Sequence, residues 1–253
     1  MLAVLAFDMS NSIEGEKLMA LRAASQALLG SLRRDDEATL FTFADAVHWR
    51  VRPTTDKAAV RQALEYPRPG GATPLMDALY AAVTLPRTRG RTLVVLFTDG
   101  ADNSSWLDWG QVQLVAERSN TLIHLVSLRP REAGARPSER GDFGTINAPG
   151  ESAAGRALRQ VDQVTGGRAA LEFEDSWALR QIAEATGGRY WEAESLDRLK
   201  TAFAAIAEAM ARRYVLRYVP ENVTRQGWHK IELRLRGKKG EVHTRKGYWV
   251  AAR

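Results

Sequence analysis

Two apolar runs in this chain each lead into an aspartate, and neither alternates. Leu2–Phe7 ("LAVLAF") precedes Asp8, and Thr92–Thr98 ("TLVVLFT") precedes Asp99. Thr121–Leu128 is a third run of the same kind. A strand with one wet face reads apolar and polar by turns. A run without polar gaps is buried on both faces, as in the inner strands of a parallel sheet covered by helices. Ala38–Ala44 adds a strand rich in Phe and Thr. Val47–Arg52 does alternate, with Val47, Trp49 and Val51 on one face and His48, Arg50 and Arg52 on the other. That pattern predicts an antiparallel edge strand.

Helical periodicity fills the gaps. Glu14–Arg34 sets Leu18, Leu21, Leu28 and Leu32 on one face. Thr55–Glu65 opens on a capping sequence, and Thr73–Leu85 opens on Thr73 as N-cap with Pro74 at the first helical position. Asp108–Ser119, Trp177–Thr186 and Leu196–Arg213 are further helices. Strands alternating with helices predict a doubly wound, Rossmann-like α/β domain with a mainly parallel sheet and one antiparallel edge strand. With 253 residues, 45% of them apolar, the chain can bury a large core.

We place this α/β domain at residues 1–212, with residues 130–155, which hold three Pro and five Gly, as a loop or insertion. A weak internal echo follows, "VTGGRAALEFE" from Val164 and "ATGGRYWEAE" from Ala185. Residues 213–253 change character. Three short alternating stretches predict a C-terminal antiparallel β extension. Its charge differs too: from Met210 onward there are twelve Lys/Arg against three Asp/Glu, whereas the remainder is slightly acidic. Such a tail is either a solvated ribbon or a surface for an acidic partner or a phosphate backbone. The alternation of Tyr214, Tyr218, Trp228, Tyr248 and Trp249 predicts the inward face of a small sheet ahead of a base-stacking surface.

Cysteine is absent, which excludes disulfides, thiolate metal sites and cysteine nucleophiles. No stretch has the apolar length of a membrane span, and the start lacks the basic flank and small-residue cleavage site of a signal peptide.

Ligands of open α/β sheets bind beyond the carboxyl ends of the strands. Asp8 and Asp99 end two strands there, if those strands are neighbours. Ser10 and Ser12 follow Asp8 at alternate positions, and Thr73 follows two glycines in "PGGATPL". Two carboxylates and three hydroxyls form a set of hard oxygen donors. That set suits Mg²⁺, with Mn²⁺ or Ca²⁺ as alternatives, and not zinc or copper. The plainer alternative is that Ser10 or Ser12 caps the next helix. Asp77 is either a supporting carboxylate or an acid placed by the helix dipole. Asp102 either tunes the metal or is a loop carboxylate without a special role. His48 lies on the wet edge, His124 inside a buried strand, and His229 and His243 in the tail, so no Ser-His-Asp triad forms. "RPGGATP" lacks the glycine spacing and Lys of a phosphate-binding loop.

"DMSNS", "GGATPLMDAL" and "LFTDG" resemble the three pieces of the metal-ion-dependent adhesion site of von Willebrand factor type A domains. The resemblance covers roughly residues 1–213 and implies Asp8, Ser10, Ser12, Thr73 and Asp99 as the metal set. It also implies that hydroxyls bind the ion directly, that the aspartates act partly through water, and that a partner's Asp or Glu completes the shell. Asn11 departs from the family's frequent Gly. The tail, "RRYVLRYVPEN", "GWHKIELRL" and "EVHTRKGYW", resembles a bacterial subgroup of VWFA-related proteins abundant in acidobacteria. Those proteins are commonly exported and carry an upstream β segment that this chain lacks. The tail strands are then expected to expose an edge, or to pair with such a segment or another chain.

The function expected is a divalent-metal-dependent protein-binding module and not an enzyme. The alternatives are metal-assisted hydrolysis at the same ion and binding of nucleic acid or an acidic surface through the basic tail.

Overall fold

The computed structural model describes residues 1–85, 91–129, 167–212, 214, 216, 218–221, 225–237 and 242–250, with the backbone alone at 167–174. The 130–155 segment lies outside the described residues.

Six strands form one sheet. They are β1 (Leu2–Asp8), β2 (Glu37–Phe43), β3 (Val47–Thr54), β4 (Thr92–Thr98), β5 (Thr121–Leu128) and β6 (Tyr190–Ala193), in the order β3-β2-β1-β4-β5-β6. All neighbours are parallel except β2 and β3. The three gapless runs are therefore inner strands, buried at every position. The alternating run is the antiparallel edge, as expected. β6 has no counterpart in the sequence analysis: at four residues it is too short to show a period.

Alternation of side chains across the pleat builds a core on each face. Leu5 and Phe7 of β1 pack with α1 (Glu16–Ser31), α2 (Lys57–Glu65) and the last helix of the domain, α6 (Leu196–Ala211). Leu2, Val4 and Ala6 pack with α3 (Leu75–Thr84), α4 (Trp109–Arg118) and α5 (Gly167–Ala185). Among the described residues, no helix is long and apolar enough to cross a membrane.

Two local expectations are corrected. The two halves of the internal echo adopt different structures: residues 167–173 lie in α5, whereas the second copy turns at Gly187 and enters β6. The expected C-terminal antiparallel β extension is present, with two of its three stretches paired as β7 (Gly227–Lys230) and β8 (Gly247–Val250) and the first lying partly outside the described residues. Tyr214 and Tyr218 are not on the inward face of a sheet but exposed, Tyr214 at 91%. The six-stranded sheet is satisfied without the tail, so alternation alone does not bury these rings.

Candidate metal centre

The strand order reverses between β1 and β4, and doubly wound sheets bind ligands at the crevice such a reversal opens. Asp8 is the last residue of β1, and Asp99 follows the last residue of β4. The expected adjacency therefore holds, with Leu2–Phe7 paired residue by residue with Thr92–Phe97.

Asp8 is fully buried. Its Oδ1 accepts the backbone N–H of Ser10 at 2.8 Å, and its Oδ2 accepts the hydroxyl of Thr98 at 2.6 Å. Burial pushes its carboxyl up to about 6, against the lowering effect of the Thr98 and Ser10 hydrogen bonds; the nearby charge of Asp99 pushes the same way as burial. The Ser10 and Ser12 hydroxyls lie 3.1 Å apart, and Ser12 donates to Asp99 Oδ1 at 2.5 Å. Neither serine caps α1, whose N-cap is Gly15 with no side-chain hydrogen bond. The capping alternative is thereby removed, and two loops 87 residues apart in sequence meet through hydroxyl and carboxylate.

Thr73 joins them from a third loop. Its side chain is buried, and a methyl group built on Gly100 would sit 3.7 Å from the Thr73 hydroxyl, which places that oxygen beside the Asp99–Gly100 turn. Thr73 was expected to cap α3. It does not: the N-cap of α3 is Pro74, and the free N–H groups of Met76 and Asp77 are taken from outside the helix. Asp102 Oδ2 accepts the Met76 N–H at 2.9 Å, and Ser105 Oγ accepts the N–H groups of Met76 and Asp77 at 3.0 and 3.2 Å. Capping is delegated to the loop after β4. The Thr73 hydroxyl then has no hydrogen bond to any described residue, whereas its backbone N–H is held by Asn103 Oδ1 at 2.7 Å.

Four side chains fix this frame. Asn11, the departure from the family's Gly, accepts the Gly71 N–H through Oδ1 at 3.1 Å and so ties the first loop to the second. Asp45 accepts the Ala72 N–H at 3.0 Å. A methyl group on Gly71, whose φ is +85°, would meet that carboxylate at 2.3 Å, so only glycine fits there. Asp77, an acid in the first turn of α3, accepts the N–H groups of Trp106 and Leu107 at 3.1 and 3.0 Å and so holds the loop after β4. Asp102 also holds the Ser104 and Ser105 N–H groups, so it shapes the rim.

Sequence reasoning missed Lys17. Its ammonium donates to Asp99 Oδ2 at 2.5 Å, and the Asp99 side chain is wholly buried (0% exposed). A cation in the first turn of a helix opposes the dipole, and that mismatch was the available signal. Asn103 gave none, since an Asn three residues past a Gly is ordinary loop composition.

Among the described residues no group of three or more His, Cys, Asp or Glu comes together as a metal cluster. Any ion here therefore depends on hydroxyl oxygens beside the two carboxylates. The donor set fits a hard divalent cation. Asp8 and Asp99 gather negative charge in a buried crevice, Thr73 presents a hydroxyl without a partner among the described residues, and a cation, the Lys17 ammonium, is already drawn to Asp99. His124, as expected, is a core histidine: its Nδ1 accepts the Arg189 N–H at 3.1 Å, and its ring lies 5.0 Å from that of Trp191.

No curated protein matches the chain significantly. Among solved structures it is similar to the conserved hypothetical protein BatB from Bacteroides thetaiotaomicron, with 17% identity over 84% of this chain and 98% of that one at a TM-score of 0.54. It is similar to a von Willebrand factor type A protein from Catenulispora acidiphila, with 13% identity over 81% of this chain and 41% of that one at 0.53. It is also similar to the pilus adhesin SpaC from Lactobacillus rhamnosus GG in an open conformation, with 15% identity over 83% of this chain and 30% of that one at 0.55. The chain thus spans nearly all of BatB but less than half of the other two. At these identities the likeness establishes the fold. Residues 3–101, which carry all five candidate ligands, match the family model of the von Willebrand factor type A domain, and the sheet and helices built around them have the fold of a solved type A protein.

Proposed function

We propose that this chain is a protein-binding module that works through a divalent cation, Mg²⁺ in the first instance. Asp8, Ser10, Ser12, Thr73 and Asp99 hold the ion, and a carboxylate of the partner completes its shell. The observation that supports this most directly is the meeting of three loops at the β1–β4 crevice, with Ser12 bonded to Asp99 and Thr73 delivered beside them with its hydroxyl unused. Three of the five donors are neutral. With the aspartates acting partly through water, the ion would stay electrophilic and draw an anionic oxygen from outside. The chain's own residues orient: Asn11 and Asp45 hold the Gly71–Ala72 turn, and Asn103 fixes Thr73. The adhesin fold among the similar structures agrees with a binding role.

Titration calorimetry of the purified chain with Mg²⁺ and Mn²⁺ tests the site. We expect saturable binding with one ion per chain, and a loss of about a hundredfold or more in Asp8→Ala, which removes a ligand carboxylate that also holds Ser10 and Thr98. Equal metal binding by Asp8→Ala and the parent, with both folded by circular dichroism, would sink the assignment.

A further inference from the structure

We infer that the cleft beside the metal rim, walled by Arg50, Ala63, Tyr66, Pro67 and Arg68, is a second recognition site that takes an acidic side chain of the same protein partner. The inference rests on the metal-centred proposal above, since it supplies the second half of that partner's footprint.

The cleft has a volume of about 440 Å³. Its walls come from the wet face of β3, the end of α2 and the loop that runs on to Thr73. β3 descends from the carboxyl rim of the sheet because it is antiparallel, and α2 climbs back up. Tyr66 and Arg68 therefore stand at the same end of the domain as Asp8 and Asp99. The loop is then anchored directly to the metal loop: the Gly70 N–H donates to the Met9 carbonyl at 2.8 Å, and the Gly71 N–H to Asn11. Thr73 is five positions on from Arg68, about 18 Å at full extension, so the cleft and the ion are within reach of one short peptide.

The chemistry of the walls selects an anion. Arg50 donates through Nε to the Thr42 hydroxyl at 2.8 Å, which fixes the guanidinium while leaving its outer N–H groups for a ligand. Arg68 is exposed and makes no ion pair among the described residues. Of the nearby acids, Glu65 faces Arg22 at 3.6 Å, and Asp45, exposed, accepts the Ala72 N–H at 3.0 Å; neither pairs with Arg50 or Arg68 among the described residues. Two arginines without counter-charges, one of them pre-oriented, offer the fork geometry that carboxylates match. Tyr66, 72% exposed, adds an aromatic surface over which the stem of a Glu side chain can lie. The same partner class is implied at the ion, where a carboxylate is the missing ligand. We therefore commit to an acidic protein segment with two acidic residues a few positions apart, one at the ion and one in the cleft.

The test uses a fluorescein-labelled, Glu-rich octapeptide and its Gln counterpart, read by anisotropy against the full chain in Mg²⁺ and in chelator. The variant is Arg50→Gln/Arg68→Gln, with Mg²⁺ calorimetry run in parallel. We expect the acidic peptide alone to bind, and the double variant to weaken it about tenfold while leaving Mg²⁺ affinity unchanged. An unchanged peptide affinity in the double variant overturns the cleft, as does equal binding of the Gln peptide. If a single-stranded oligonucleotide binds more tightly than the peptide and depends on the same arginines, the partner class is overturned. The two proposals fail separately. Binding that depends on the arginines but ignores chelator sinks the metal-centred reading and keeps the cleft; binding that depends on Mg²⁺ but ignores the arginines does the reverse.

Discussion

The carboxyl rim of the sheet and the C-terminal hairpin treat polarity in opposite ways. At the rim, Asp8, Ser10, Thr73 and Thr98 are buried, and bonds from Thr98 to Asp8, Ser12 to Asp99 and the Thr73 N–H to Asn103 join loops far apart in sequence. In the tail, Tyr214, Leu216, Val219 and Leu235 are exposed. Burying a carboxylate costs several kcal/mol unless it is paired, so a buried polar rim persists only where every group is held or an ion is supplied. Exposed apolar side chains carry no such constraint. The rim is held by its hydrogen bonds at every one of these groups except the Thr73 hydroxyl, whereas the described part of the tail is attached along one seam. There Arg245 donates to the carbonyls of Glu117 and Ser119 at 2.8 and 3.0 Å, Lys246 pairs with Glu184 at 2.6 Å, and Arg118 lies 4.4 Å over the ring of Trp249.

Two adjacent glycines separate the domain from its tail, and Gly188 offers the largest effect. A methyl group on Gly188 would lie 1.7 Å from the Ile123 carbonyl oxygen in the central β5, where no flexible side chain can yield. Gly188→Ala should cost about 4 kcal/mol or more and lower the denaturant midpoint steeply, or prevent folding. A methyl group on Gly187 (φ +80°) instead meets the backbone of Thr244 and Arg245 at 2.4–2.6 Å. Gly187→Ala should cost about 1–2 kcal/mol for the left-handed backbone and lift the hairpin. The expected readout is altered Trp fluorescence with Mg²⁺ affinity kept. Loss of Mg²⁺ binding in Gly187→Ala would show that the seam and the rim are coupled.

Next in size is a pH effect confined to the rim. The Asp8 carboxyl is pushed to about 6 by burial, against 3.8 for an unperturbed aspartate. In chelator, the folded chain holds a proton that the unfolded chain has released between those values. Stability therefore falls as pH rises from about 4 to 6, by about 3 kcal/mol from this group. Asp8→Asn, which cannot ionise, should flatten that part of the urea-midpoint profile. A profile identical to the parent's would mean that Asp8 is solvated.

How much of this was legible in the sequence differs between the same two regions. The gapless runs gave β1, β4 and β5, because burial on both faces leaves a composition signal that needs no partner. The five candidate ligands were readable because Asp-x-Ser-x-Ser places its oxygens within one loop and strand ends gather at one rim. The supporting frame was not. Asn103, Asp45 and Ser105 act across loops from positions where their residue types are ordinary, and Thr73 carried a capping signal that the fold passes to Asp102 and Ser105. In the tail, alternation predicted a buried face, but alternation records only which side chains share a side, not what covers them.

The smallest effect sharpens the comparison most, because it asks whether the rim is closed by its own chain. Lys17 is the one cation bonded to the candidate ligands among the described residues, and Asp99 receives both its ammonium and the Ser12 hydroxyl. A divalent ion approaching Asp99 meets an oxygen already neutralised and must displace or reorient the ammonium, which is tethered to α1 and so always at high local concentration. Its side chain is partly exposed, so water can take it once it leaves. Lys17→Met keeps the length and packing of the stem and removes the charge. Mg²⁺ affinity should rise about tenfold, equivalent to about 1.4 kcal/mol. In chelator the same variant should be slightly less stable than the parent, because Asp99 loses its counter-charge while staying buried. Affinity that falls instead would make Lys17 a support that orients Asp99 for the ion. Lys17→Arg separates these outcomes further, since a retained charge should restore competition but not the fit of a point donor.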